Sequence, residues 1–185
     1  LLSLVMSKPI SPRNFVAERR YHIYNRGNNK QQIFHDTQDY EQFLSLLVKY
    51  LNKSGDILIN YELIPNHFHF NLQAKSENSI SEFAQPFFRS YSTYHHNKYD
   101  YVGRLYQNRF SAKPVTNTLH LIALSKYIHM NAYKHNIVDT PEEALEYKWS
   151  SLNPPVFIPP DFIDFSPVLD CFNDINHYKD YCLAI

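Results

Sequence analysis

The sequence predicts an α+β fold, one antiparallel sheet with helices on one face. Three observations predict it. Segments whose apolar residues alternate with period two are interleaved with segments of helical spacing, in the order strand, helix, strand, strand, helix, strand, helix. Two neighbouring strand segments are separated only by Pro65-Asn66, a hairpin turn. The chain has 185 residues, 44% of them hydrophobic, which supports a core without disulfides or a structural metal.

The elements follow in order. Residues 18–27 (ERRYHIYNRG) place Tyr21, Ile23 and Asn25 on one face and His22, Tyr24 and Arg26 on the other, a strand. Residues 38–53 carry Phe43, Leu47, Tyr50 and Leu51 at helical spacing, with Asp36 and Thr37 as cap candidates and Ser54-Gly55-Asp56 as the stop. Residues 57–64 and 67–74 are the hairpin strands. Ser79-x-x-Glu82 reads as a capping box opening a helix with Ile80, Phe83, Phe87, Tyr91 and Tyr94 on one face. Pro86 lies inside that pattern, so the helix starts later or kinks there. Residues 104–116 suit a fourth strand, ended or bulged near Pro114. Residues 118–134 form the last strong helix, with Leu121, Leu124, Ile128 and Ala132 as its apolar stripe. This order fits the split β-α-β, ferredoxin-like arrangement that RRM-type domains share. Beyond about residue 140, where six of the eleven prolines lie, the chain is expected to be irregular, with one short helix near its end.

Composition excludes several classes. No run approaches the length of a membrane-spanning helix. Leu1 to Val5 is too short and uncharged for a signal peptide, and Met6 fits a natural start. Two cysteines, Cys171 and Cys182, make neither a disulfide framework nor a cysteine zinc site, which fits a reducing cytoplasm. Three glycines leave no phosphate-cradling loop. The net charge of zero hides an asymmetry: residues 1–135 hold 16 Lys and Arg against 9 Asp and Glu, and residues 136–185 hold 2 against 9. The first part suits a polyanionic partner. Fifteen tyrosines and thirteen phenylalanines suit base stacking, although most such rings belong in a core. The acidic part is expected to lie against the basic surface and compete with a polyanionic partner, or to wrap the domain with Phe157, Ile158, Phe162 and Phe165 completing its core, and the two roles are compatible.

Two constellations carry chemistry. His67-Phe68-His69 on a strand directs two imidazoles to one face, a spacing suited to one shared divalent cation and also expected by chance in a chain with ten histidines. On the last helix Tyr127 and Asn131, four apart, share a face with His120 and Lys134, opposite the apolar stripe. Such a tyrosine is either a nucleophile toward phosphate or a solvated surface residue.

Ordered landmarks connect the two. They are Tyr21 to Asn29 (YHIYNRGNN), Ile33-Phe34 with Asp39-Tyr40 and Phe43-Leu44, Leu63 to His69 (LIPNHFH), Ser90 to Tyr94 (SYSTY), Leu105 to Phe110 (LYQNRF), Tyr127 to Asn131 (YIHMN) and Trp149-Ser150-Ser151. In this series the chain resembles the REP-associated tyrosine transposases, within the single-tyrosine branch of the HUH nucleases, over residues 18–152. The resemblance implies an HUH-type fold between an N-terminal segment (1–17) and an acidic, Pro-rich extension (153–185). It implies that His67, His69 and Asn131 hold a divalent metal, Mg2+ or Mn2+, and that Tyr127 is the nucleophile. The implied reaction is cleavage and rejoining of single-stranded DNA beside REP-like hairpins through a 5′-phosphotyrosine, by a homodimer or a monomer, in the bacterial cytoplasm at the nucleoid, with no membrane partner. His129 fits the motif as a structural residue. Arg19, Arg20, Arg26, Arg89, Arg104, Arg109, Lys113 and Lys134 are the candidate DNA contacts. After Asn131 the family usually has Pro; here Ala132 follows, which would let the helix run longer. The alternatives are a non-catalytic nucleic-acid-binding module of the same fold, which needs exposed aromatics on the sheet, and an unrelated His-x-His metalloprotein. Only the transposase requires His67, His69, Tyr127 and Asn131 to converge.

Overall fold

The computed structural model describes residues 15–184, so all but the last three residues of the expected N-terminal segment lie outside the described residues. Four strands form one antiparallel sheet in the order β2-β3-β1-β4: β1 (Arg20–Arg26), β2 (Ile57–Ile64), β3 (His67–Gln73) and β4 (Ser111–Pro114). Helices α1 (Thr37–Ser54) and α2 (Ser79–Tyr99) cover one face. Helix α3 (Thr118–His129) packs across the other, against β2 and β3. It is followed by α4 (Asn131–Lys134), α5 (Pro141–Leu145), α6 (Ser166–Leu169) and α7 (Ile175–Leu183).

The strand alternation decides what each face holds. On β3, Phe68, Phe70 and Leu72 join Tyr21 and Ile23 of β1 in a core with Phe43, Leu44, Leu47, Phe83, Phe87 and Tyr91. Phe43 is at its centre, with ring centroids 4.8 Å from Phe87 and Tyr91, 4.9 Å from Phe34 and 5.1 Å from Phe68. Many of the abundant aromatic residues are therefore core. Helix α1 is closed at both ends by local chemistry: the Asp36 and Asp39 side chains form a reciprocal capping box, and Gly55 (φ 75°) takes the left-handed cap.

Several expectations change. Residues 104–110 are not strand; β4 is confined to Ser111–Pro114, and Tyr106 makes a single bridge to Gly27. The cause is packing, because Leu105 drops into the core from a loop that turns at Gly103 (φ 112°). The Ser79–Glu82 box does not form; the Ser79 hydroxyl is spent on the backbone of Ser76, and Asn78 precedes the helix without a side-chain cap. Helix α2 nevertheless starts at Ser79 and runs through Pro86. The last helix does not run to 134: α3 stops at His129, Met130 intervenes, and α4 begins at Asn131. Beyond residue 140 the described residues form three short α-helices and a 3-10 turn at Pro160–Phe162 rather than one helix.

The C-terminal segment builds a second core on the far face. Ile59, Leu121, Met130, Leu145, Val168, Tyr178 and Cys182 cluster there. The buried His129 ring ties this layer together, bonding the Tyr178 hydroxyl and Ser151 Oγ at 2.7 Å each. Trp149 stacks on Tyr40 (4.4 Å, 6°), and Leu63 N–H donates to its carbonyl (3.0 Å). Ser151 and Asp164 also bond the backbone of β2, which closes that edge of the sheet. Ile158 is buried, Phe162 and Phe165 pack against the cores, and Phe157 is exposed. The segment thus wraps and completes the fold. Lys179 pairs with Glu146 inside the acidic half, and Lys98 with Asp36 and Asp39 inside the basic half. Among the described residues no helix is long and apolar enough to cross a membrane.

The Asp39 carboxylate is fully buried and receives bonds from His35 N–H, Lys98 Nζ and the Tyr94 and Tyr99 hydroxyls. Burial alone would raise its pKa, but the Lys98 ammonium and these donors hold it below the ordinary value. Its stabilisation is therefore complete above the unfolded value near pH 4 and is lost as pH falls through the lower folded value. Asp39→Ala should cost about 2–3 kcal/mol at pH 7, because it removes a charged acceptor from buried donors while Lys98, partly exposed, keeps Asp36 as a partner. Urea titrations at pH 7 and pH 3 should show that loss shrinking in acid; an equal loss at both pH values would contradict the ion pair.

Candidate active site

The face of the sheet away from α1 and α2 carries polar groups in register. His67 and His69 project from β3, flanked by His22, Tyr24 and Arg26 of β1 and by Glu62 of β2, which pairs directly with His69. Both histidines are buried, at 6% and 5% exposure. Their rings lie 5.1 Å apart at 90°. Helix α3 crosses above them and brings Tyr127 to 5.3 Å from the His69 ring and 6.1 Å from His22. Tyr127 remains 36% exposed, open to a large substrate on its outer side. One turn later Asn131 is buried, its Oδ1 3.0 Å from His67 Nε2. His67, His69, Tyr127 and Asn131 therefore converge within one chain.

The hydrogen bonds prepare the two imidazoles. His67 Nδ1 faces Asn66 Oδ1 at 2.7 Å, and its Nε2 faces the Asn131 oxygen. A neutral ring has one N–H for these two acceptors. With the proton on Nδ1 and donated to Asn66, a lone pair on Nε2 lies beside an amide oxygen, an arrangement that a cation between them relieves. His69 Nδ1 is 2.8 Å from His22 Nε2; donation to His22 frees His69 Nε2, which is buried without a partner. Asn131 Nδ2 is likewise buried and unpartnered. Protonation is opposed. Burial, then His135, pushes His67 down to about 4, and burial, then His22, holds His69 well below the ordinary value. Both rings thus present lone pairs at neutral pH. Among the described residues no three His, Cys, Asp or Glu side chains group around a metal position. The Asn131 amide oxygen is the one further donor beside the two rings, and a set of two imidazoles and one amide would fit a divalent ion such as Mn2+.

Three residues of the site were not singled out by motif. His22 bonds His69 from behind, Glu62 lies beside it, and the His135 ring is 4.5 Å from His67. The signal for His22 was its place on the even-numbered face of β1. Glu62 follows only from the strand register, and His135 only from the helix break. Lys134 Nζ is 4.4 Å from the Tyr127 ring centroid. His120 Nδ1 lies 3.2 Å from the Thr116 hydroxyl. His129 faces Tyr178 and Ser151 and is no part of the site.

The candidate DNA contacts fall into two groups. Arg20, Arg26, Lys113 and Lys134 belong to the histidine side; Lys113 pairs with His22 across the strands, and its ammonium is 5.6 Å from the Tyr24 ring. Arg104 and Arg109 line a cavity with Ser92, His96 and Gln107 on the α2 side. Arg89 is exposed on α2, and Arg19 is exposed just before β1.

The chain aligns over 88% of its length with the structure of a REP-associated tyrosine transposase bound to a REP hairpin, covering 96% of that chain at 17% identity and a TM-score of 0.60. A putative transposase from Deinococcus radiodurans R1 aligns over 71% of this chain and 97% of its own at 18% identity and a TM-score of 0.46. The first likeness shows the fold. No curated protein matches the sequence. The family model described as IS200-like transposase matches residues 15–131, from the start of the described chain through Tyr127 and Asn131. The chain belongs to the IS200-like transposase family.

Proposed function

We propose that the chain is a divalent-metal-dependent transposase that cleaves and rejoins single-stranded DNA beside hairpins, with Tyr127 as nucleophile. The observation that carries this is the convergence of Tyr127, at 5.3 Å between rings, on a His67–His69–Asn131 set whose free lone pairs suit a cation. His67 Nε2, His69 Nε2 and Asn131 Oδ1 would hold the metal. When bound, it supplies Lewis-acid polarisation of a phosphate oxygen.

The side chains of this chain do the rest. The Tyr127 hydroxyl loses its proton to solvent and attacks the scissile phosphorus. The P–O3′ bond breaks, the departing 3′-oxygen takes up a proton, and the 5′-phosphate remains on Tyr127. A 3′-hydroxyl of another strand reverses the step, so the phosphodiester energy is kept and no nucleotide cofactor is required. The Lys134 ammonium, 4.4 Å from the Tyr127 ring centroid, offers positive charge to the incoming phosphate. Arg20, Arg26 and Lys113 extend positive charge along this face. A cavity lined by Asn25, Phe88, Tyr106, Asn108, Arg109 and Phe110 supplies ring faces and amide edges that suit an unpaired base. Hairpin DNA is the partner by analogy with the hairpin-bound neighbour. Exchange of strands between two copies would let one tyrosine per chain suffice. The non-catalytic alternative gains no support, since α3 crosses the sheet face that such a module would leave open.

Tyr127→Phe removes one exposed oxygen, so stability should change by less than about 0.5 kcal/mol while the covalent adduct falls to background. Denaturing gels with a labelled hairpin oligonucleotide check this, and an adduct that persists removes Tyr127 from the role.

Replacing His67 or His69 with Ala should weaken Mn2+ binding by about 100-fold or more and stop cleavage. Excess chelator should stop the wild-type enzyme without unfolding it, because the two cores stand without metal. Full turnover in chelator, followed on the same gels, would rule out the metal.

A further inference from the structure

Glu62 lies at the back of the site. It is 1% exposed, on β2, directly across from His69. Its Oε1 accepts the N–H of Ala132 at 2.6 Å, and the N–H of Asn131 faces the same carboxyl group. These contacts fall at the break between α3 and α4, where Met130 (φ −102°, ψ 9°) separates the two helices. The first N–H groups of a helix have no acceptor within it, and in a buried turn they need one from elsewhere. Proline at such a position has no N–H and needs none. Ala132 does, and the carboxyl group of Glu62 supplies it.

The turn held in this way carries three groups of the site. Asn131 places its oxygen 3.0 Å from His67 Nε2. Lys134, whose N–H bonds Met130 O at 3.0 Å, sets its ammonium over Tyr127. His135, whose N–H bonds Asn131 O at 3.0 Å, packs its ring against His67. A continuous helix through 129–134 would carry all three elsewhere. Nothing in the sequence near Asn131 imposes the break, and its anchor comes from a strand about seventy residues earlier, since Glu62 and Ala132 are 70 positions apart.

We propose that Glu62 is a positioning residue: by accepting the N–H of Ala132 it fixes the turn that sets the Asn131 oxygen against His67. This rests on the reading of His67, His69 and Asn131 as the metal ligands. The other Glu62 oxygen, Oε2, is buried without a hydrogen-bond partner, and the role assigned to Glu62 passes through Asn131.

The test uses the full-length protein with Glu62→Gln, which keeps an oxygen acceptor, and Glu62→Leu, which keeps the volume and removes it. Three readouts are taken without DNA: the thermal melt, amide hydrogen exchange at Asn131 and Ala132, and Mn2+ affinity by calorimetry, with His67→Ala as control. Glu62→Gln should bind Mn2+ within about threefold of wild type. Folded Glu62→Leu should exchange these amides at least tenfold faster and bind Mn2+ about 10- to 100-fold more weakly. A folded Glu62→Leu that binds Mn2+ as wild type does, or a Glu62→Gln as damaged as the leucine variant, overturns the proposal. Should the leucine variant fail to fold, the wild type decides: an Ala132 amide that exchanges at an unprotected rate overturns the proposal by itself. A wild type that binds no Mn2+ overturns the metal reading and this role with it. Wild-type binding that His67→Ala abolishes and Glu62→Leu leaves intact overturns this role alone.

Discussion

Strand β3 has to serve two environments at once, and the rest of the site depends on how its alternation meets them. Phe68, Phe70 and Leu72 are locked into an aromatic core beneath α1 and α2, with Phe68 packed on Phe43 and Phe88. The pleat then leaves His67, His69 and Asn71 no choice but the opposite face. A slip of one residue would exchange the two sets, burying imidazoles among phenylalanines and exposing the phenylalanines. The core thus fixes the register, and the register fixes the direction of the two histidines. Pairing with β1 and β2 adds His22, Tyr24 and Glu62 to that face.

A helix must then cross this face, and the C-terminal segment is what holds it there. Residues 136–184 bury Leu145, Val168, Tyr178 and Cys182 against α3 and β2, and Tyr178 bonds His129 inside the layer. Lys126 reaches the carbonyls of Tyr181 and Ala184 at the end of α7. With one side of α3 clamped in this way, Tyr127 is left facing the histidines and solvent. The negative charge of the segment accompanies a structural wrap, whose apolar residues supply the second core.

The parts of the fold legible in the sequence were those where local pattern and packing agree. The alternation of residues 20–26 and 67–73, the Asp36 cap with the Gly55 stop, and the Pro65-Asn66 turn all form as their residues dictate. The readings that failed were those where distant contacts decide. Leu105 is buried from a loop, so an apolar residue there resembled strand. The hydroxyl of Ser79 found a nearer partner than the helix N-terminus. The break at Met130 depends on a carboxyl group on another strand. The convergence of His67, His69, Tyr127 and Asn131 in the candidate site was legible from spacing and family landmarks. His22, Glu62 and His135 were not, because they act through strand register and a non-local turn rather than through any motif.

The convergence of one sheet face and one helix on a cation is tested most directly by anomalous X-ray diffraction from crystals of the full-length protein soaked in Mn2+. The arrangement predicts one anomalous peak within bonding distance of His67 Nε2, His69 Nε2 and Asn131 Oδ1, on the side facing Tyr127. Ordered density for these side chains with no peak among them, while Mn2+ binds elsewhere on the molecule, would contradict it.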